Sequence, residues 1–476
     1  MLEHRDRLQD ELFVAGSLRE LIPDDHVLVG VDRVLDLSWL RGEVAGCYDL
    51  SQGRPGVDPE AAVRLMLAGL LLGIVEDRRL LREAQVNLAI RWFAGYRLHE
   101  RLPDHSSLTR IRQRWGAARF LSVFERTVVQ CVEGGLVKGD LLHLDATLIR
   151  ADVSWESLVR VHLDAVAEAN EDRPAGGGGD GRDGDGGGGS KPGKTKKISR
   201  TDPQARMATS HRKVRLEPSY KQLTAVDGAR GVVLDAEVVI ADIHEGGAAL
   251  DQVDRVAERT GLGFATVTAD KAYAYGRNYA ALEARGVRAV IPPQRTGRSG
   301  MPMERFHYDA LNDVARCPRG RILRPAARYA TGRFYRARRA DCQACPLREA
   351  CLPKSMKARS LMIGDGYPAL LRARRRHRRK LPEDRAAARS HRARVEGVHG
   401  EAKARHGLAR AARRGLDNVA IQAYLTAAVI NLKRLAKALL RAWLRRMSAG
   451  RAQIAPVAAF LAAMRNPTPP PAQITA

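Results

Sequence analysis

The sequence predicts an α/β protein with an all-helical N-terminal domain and a small cysteine-rich insertion. Three observations carry that expectation. Apolar residues recur at helical spacing through the first 135 residues. From residue 140 onward, aliphatic runs alternate with amphipathic stretches, the pattern of strand–helix–strand units around parallel pairs. Four cysteines then fall between residues 317 and 351, among many arginines.

A chain of 476 residues is long enough for two or three domains, each with its own core. Its 45% hydrophobic content marks a folded protein, and 80 Lys+Arg against 54 Asp+Glu give a net charge of +26. Such a charge calls for a polyanionic partner, nucleic acid first and an anionic membrane second. The longest apolar run, 65–75, is shorter than the ~20 residues that span a bilayer, and the opening MLEHRDRLQDE is too charged for a secretory signal. The expectation is a soluble cytoplasmic protein without a membrane partner. There, six cysteines serve as thiols or metal ligands rather than disulfides.

Residues 1–135 read as helices. Asp58-Pro59 is a cap followed by a first-turn proline, and AAVRLMLAGLLLGI continues as a largely buried helix. Ser106-Ser107 caps LTRIRQRWG, a short basic helix with Leu108, Ile111 and Trp115 at inward spacing and Arg110, Arg112 and Arg114 open to DNA phosphates. A helix-turn-helix relative and plain packing both fit this module. From 136 the pattern turns to strands. LLHLDATLIRADV carries Asp145 in the middle of a hydrophobic strand, a costly place for an acid unless it binds something or is hydrogen-bonded. A helix is expected over 156–170. The glycine-dominated tract 174–197 cannot bury a core and reads as a disordered insertion.

Strands return at 219–227 and 231–241, joined by the turn signal Asp227-Gly228. A helix at 248–259, the buried strand FATVTAD, a helix at 271–286 and the strand VRAVIPP follow. Asp270 closes its strand at the carboxyl end, where open α/β sheets place their sites. Lys271 and Tyr273 beside it favour that reading over a simple helix cap. In segment 296–365, 24 residues separate Cys317 from the Cys342-x-x-Cys345 pair, and Cys351 follows after five intervening residues. This spacing makes the four a candidate Zn²⁺ ribbon; four free thiols or an iron–sulfur cluster fit it as well. Cys47 and Cys131 stand apart as core thiols.

Segment 366–450 opens with LLRARRRHRRK, seven Arg/Lys in eleven positions, suited to phosphate contacts. Stretch 389–408 follows. At ~100° per residue, Arg389, Arg392, Glu396 and Lys403 lie within about 60° of one another on a helix. His399 is beside them, and Val395, Val398 and Ala402 form an apolar stripe on the other side. The rival acid Glu401 projects about 140° away from Glu396. A long amphipathic helix from Leu416 is expected to pack back on the sheet, and the tail 451–476 to be disordered.

Asp145, Asp270 and Glu396 thus stand out as acids able to hold Mg²⁺ or Mn²⁺, hard ions that prefer carboxylate oxygens. The sequence closely resembles the bacterial insertion-sequence DDE transposases. LHLDATLIRADVS is similar to the block with that family's first catalytic acid, matching Asp145. TADKAYAYGRNYAALEARGVRAVIPP resembles the second block, matching Asp270. Arg392, Glu396 and Lys403 fit the Arg-x3-Glu-x6-Lys pattern of the third, and FAGYRLHERLPDHSSLTRIRQRWG looks like the helical N-terminal segment. A cysteine-rich insert before the third block occurs in one branch. Arg389 stands where some relatives carry a tyrosine.

The resemblance implies an RNase H-like mixed sheet flanked by helices, split over 136–295 and 366–450. It implies cleavage at transposon ends and transfer of the 3′-hydroxyl into target DNA. Asp145, Asp270 and Glu396 would carry the metals, and Arg392, Lys403, Arg389 and Lys271 would contact DNA. A homodimer or higher synaptic complex on terminal inverted repeats is implied, associated with the nucleoid. A nuclease that cuts without joining, and a non-catalytic DNA-binding repressor, are the alternatives.

Overall fold

Thirteen apolar and helix-favouring residues after Asp58 form the helix Pro59–Leu71, whose first turn is capped by Asp58 accepting the Ala61 N–H at 3.0 Å. The helix is buried nearly all round, as its uninterrupted hydrophobicity predicts. The computed structural model of the chain describes residues 16–49, 56–162, 195–209, 215–294, 300–353 and 355–448. These fall into two compact units, one made of the described residues within 16–134, 401–408 and 420–448, the other of those within 135–400 and 409–419.

The first unit is helical. Its helix His105–Glu133 starts after Asp104, whose carboxylate accepts the Ser106 N–H at 2.8 Å, and not at the expected Ser106-Ser107 cap. An aspartate caps as well as a serine, and its charge also suits the helix N-terminus. The helix runs on beyond Trp115 with a kink at Gly116, where φ is 68°. Leu108, Ile111 and Trp115 are buried, in keeping with their spacing.

The long helix Leu416–Ser448 corrects an expectation. From residue 420 it packs in the helical unit. Tyr424 stacks on Phe124 at 6.4 Å and Asn431 Nδ2 donates to Thr127 Oγ1 at 3.3 Å. Leu425, Val429, Leu432 and Leu435 are buried along it, and Cys131 is buried close by with its thiol 3.8 Å from the Asn431 carbonyl. An apolar stripe carries no label for its partner, so the periodicity that made the helix legible left its docking surface open.

The second unit is built on a mixed sheet. Strand β1 (Leu141–Arg150) is central, while β2 (Leu158–His162) and β3 (Thr195–Ser199) form a separate antiparallel pair. β4 (Arg206–Ala208) and β6 (Val233–Ile240) both pair with β5 (Glu217–Asp227), which runs antiparallel to β1. On the other side β7 (Thr266–Ala269) is parallel to β1, and β8 (Arg288–Val290) is parallel to β7. Helices Ala249–Thr260 and Gly276–Ala284 contribute buried Val253, Val256, Tyr279 and Leu282. The expected helix over 156–170 is overturned for 158–162. LVRVH alternates with period two and carries two β-branched valines, the signature of a strand. The rest of that stretch, the glycine tract up to residue 194 and the tail beyond 448 lie outside the described residues.

Segment 300–364 forms a five-stranded antiparallel sheet, ordered β13-β12-β11-β10-β9, of Ser360–Gly364, Gly332–Ala337, Ile322–Tyr329, Val314–Arg316 and His307–Asp309. Phe306, Leu323, Tyr335, Leu361, Ile363 and Tyr367 make its own buried core, with Cys317, Cys342 and Cys351 packed against it.

Candidate active site

Side chains alternate along β1, so Asp145 and His143 share the face opposite Leu142 and Leu144. Asp145 lies opposite Thr224 of β5. Its Oδ1 accepts the Ala146 N–H at 2.8 Å, and His399 Nδ1 stands 3.7 Å from its Oδ2 while His399 Nε2 meets Thr224 Oγ1 at 3.1 Å. Asp270 follows the last residue of β7, and its Oδ1 accepts the Ala272 N–H at 2.7 Å, so it is also a helix cap. Glu396 sits on the helix Pro382–Arg405, held on its inner side by buried Val395, Val398 and Ala402 as the stripe predicts. It is largely exposed, 3.8 Å from Arg392.

An open cleft of about 640 Å³ holds these three acids. Lys271, Arg376, Lys380, Arg385 and Arg392 line it as well. Burial pushes the Asp145 carboxyl up to about 6; the Ala146 N–H opposes this, and Asp270, Glu245 and Glu396 add to it. Burial raises Asp270 as well, with Glu245 adding and the Ala272 N–H, Lys271 and His244 opposing. Among the described residues no set of three or more His, Cys, Asp or Glu side chains is already arranged as a metal site.

A chain of polar groups runs beside the acids, and its members Thr268 and His391 also line the cleft. His143 Nδ1 meets Thr268 Oγ1 at 2.6 Å and His143 Nε2 meets Ser390 Oγ at 3.1 Å, while Thr268 Oγ1 also meets His391 Nδ1 at 2.9 Å. Burial holds His143 down to about 3 and His391 down to about 4, so both rings are neutral at pH 7. The chain ties β1, β7 and the 382–405 helix together, the three elements that carry the acids.

Sequence reasoning missed Glu245, which influences both aspartates and pairs with Lys221 at 2.6 Å. Its neighbour Gly246 allows the close approach, since a Cβ there would lie 2.5 Å from the Ala272 carbonyl oxygen. Only the glycine pair in HEGG hinted at such packing. Lys380 was legible only as part of a basic run. It ends the helix Tyr367–Arg379 with φ 50° and ψ 47°, a left-handed conformation that costs a lysine roughly 1–2 kcal/mol and that recurs at functional sites.

The other expected DNA contacts divide. Lys271 and Arg392 line the cleft, whereas Arg389 is exposed on the same helix without lining it. Lys403 is half-buried in the part of that helix assigned to the first unit. Arg110 and Arg114 are exposed, Arg114 over the Tyr48 ring at 4.8 Å. Arg112 is not available to phosphates. It is buried, and its guanidinium grips Asp77 at 2.7 and 3.0 Å. Arg112 falls on the inward side with Leu108 and Trp115, one helical turn from each. As for Glu401, Lys433 Nζ donates to it at 2.7 Å and Arg434 at 3.3 Å.

Cys317, Cys342, Cys345 and Cys351 are all half-buried free thiols. Burial raises Cys351, Arg359 opposes, and Cys342, Cys345 and Cys317 raise it further, so these three lie within electrostatic reach of Cys351. The Arg359 N–H points at Cys342 Sγ at 3.4 Å.

Residues 16–114 match the family described as Transposase domain (DUF772), and residues 316–436 match the family described as Transposase DDE domain. Asp145 and Asp270 lie outside both stretches; Glu396 lies inside the second. Among curated proteins none matches. One solved structure that aligns with this chain is a piggyBac transposase synaptic complex with hairpin DNA. It is 10% identical over 94% of this chain and 87% of that one, with a TM-score of 0.29.

Proposed function

We propose that this chain, which belongs to the DDE transposases, cuts a phosphodiester at the end of a mobile DNA element and joins the freed 3′-hydroxyl to target DNA. The observation that carries this reading is the meeting of Asp145, Asp270 and Glu396, 251 positions apart in the chain at the extremes, in one cleft with a cationic wall. The order of the mixed sheet, with β1 between an antiparallel and a parallel neighbour, supports an RNase H-like core.

The donor set fits a hard divalent ion. It offers carboxylate oxygens, and the mutual repulsion and burial that raise Asp145 are what a bound cation would relieve. Asp145 and Asp270 would hold Mg²⁺ or Mn²⁺, with Glu396 completing the set. When bound, such ions supply charge stabilisation at the scissile phosphate and an activated nucleophile. Lys271, Arg392 and Lys380 would hold the phosphates, Arg392 as a fork and the lysines as point charges. The His143–Thr268–His391 chain would keep the acid-bearing elements in register. For the cysteines the soft thiol set and the N–H aimed at Cys342 Sγ fit a structural Zn²⁺ held by Cys317, Cys342, Cys345 and Cys351. Handling two element ends together would require a dimer or higher assembly.

Purified full-length protein with Mg²⁺ is expected to nick and join DNA bearing the inverted repeats that flank its own gene. Asp145→Ala, Asp270→Ala and Glu396→Ala should each abolish both steps while binding the ends within about threefold of wild type. Residual cutting by any of them removes that acid from the site. Wild type that cuts without joining is a nuclease, and wild type that binds without cutting is a DNA-binding protein.

A further inference from the structure

The five-stranded sheet of segment 300–364 buries one face on its own core, through Ala315, Leu323, Tyr335 and Ala337. Because side chains alternate along a strand, the opposite face carries Arg316 from β10, Arg324 from β11 and Arg336 from β12. All three are exposed. Arg324 lies directly opposite Arg336 in the antiparallel register, and Arg316 enters beside them because Ala315 pairs with Leu323. Cross-strand partners stand about 5 Å apart at Cβ, and like charges so placed destabilise a sheet.

Among the described residues no carboxylate forms an ion pair with Arg316, Arg324 or Arg336. Asp313 is taken by Tyr335 and Arg333, Asp365 by Arg328 at 3.2 Å, and Asp341 lies 3.8 Å from Arg321. Asp309 accepts from Asn312 at 2.7 Å and reaches Arg316 only at longer range. Among the described residues Arg324 and Arg336 have no ion pair at all. A row of cations on one sheet face without an ion pair is complementary to a polyanion with closely spaced charges, and duplex DNA carries one per ~1.7 Å of axis.

We propose that this arginine face of the cysteine-bearing insertion is a second DNA-docking surface, contacting the phosphate backbone of duplex DNA through Arg316, Arg324 and Arg336, apart from the acid cleft. Backbone contacts position a protein without reading sequence, so the face holds duplex regardless of its bases. The choice of DNA as the polyanion rests on the transposase reading; the arginine row does not.

The test compares full-length wild type with Arg316→Gln/Arg324→Gln/Arg336→Gln and with the corresponding triple lysine variant. Each is titrated by fluorescence anisotropy against an element-end duplex and a scrambled duplex over a range of KCl. The glutamine variant should lose affinity for both duplexes by a similar factor, and its log K against log salt slope should be shallower by about 2 to 3, since each lost phosphate contact removes ~0.9. The lysine variant should restore the slope. A glutamine variant with the wild-type slope overturns the proposal, as does a loss that lysine does not restore. Cleavage by wild type, with Asp145→Ala as control, is scored separately. A chain that cuts DNA while the slope stays unchanged loses this surface and keeps its active site.

Discussion

Arg110, Arg112 and Arg114 look alike in the sequence, yet a single turn of helix separates their fates. Arg112 is turned inward onto Asp77, and both side chains are about 7% exposed. Removing one partner of such a pair leaves an uncompensated buried charge and costs about 3–5 kcal/mol. Arg112→Ala should therefore lower stability by about that much in urea unfolding and leave the salt dependence of DNA binding unchanged. A shallower salt slope with unchanged stability would return Arg112 to the DNA contacts. Conversely, Glu396 stays largely exposed beside Arg392. An ion pair so exposed stabilises little, which leaves the carboxylate free for other ligands.

The helix Pro382–Arg405 carries two acids with opposite roles. Glu396 opens into the cleft, whereas Glu401 is held in the helical unit. Burial would raise Glu401, but His406, Lys433 and Arg434 bring it down to about 2. An unfolded glutamate titrates near ~4.3. A folded value below the unfolded one means that the contribution is complete above ~4.3 and is lost as pH falls toward 2, amounting to about 3 kcal/mol. Urea midpoints measured from pH 7 to pH 2 should fall less steeply for Glu401→Gln, which should also be less stable at pH 7. Parallel pH profiles for the two proteins would sink this account. The cysteine-bearing segment makes a different prediction at the same scale. Metal analysis should find close to one zinc per chain, and less than about half an equivalent would count against the site, because structural sites hold zinc tightly. Since the segment also has an apolar core of its own, zinc removal should loosen it without unfolding the acid-bearing sheet.

In the molecule as a whole, both compact units are assembled from separated stretches of chain, and the boundary between them falls inside the helix Pro382–Arg405, after Gly400. The excess of 80 basic over 54 acidic residues is likewise not spread evenly in effect. Arg112, Arg255, Arg259, Arg374 and Arg376 are engaged with carboxylates. Arg376 also lines the cleft, together with Lys271, Lys380 and Arg392, while Arg324 and Arg336 are exposed on the insertion.

Local chemistry determined what was legible from sequence. Asp58-Pro59 starts its helix because the cap and the fixed proline φ act within one turn, and Val395, Val398 and Ala402 are buried because helical geometry alone puts them on one side. Asp145 was conspicuous because an acid inside a hydrophobic strand is costly without a purpose. Strands and helices after residue 140 followed from period and turn residues. Only the tertiary structure decided which distant groups meet. It placed Glu245 beside the aspartates, drew Arg112 onto Asp77, sent the helix Leu416–Ser448 to the helical unit and set Arg324 against Arg336. Such pairings depend on strand register and on which apolar surfaces find each other, and neither is written in the spacing of residues along a single element.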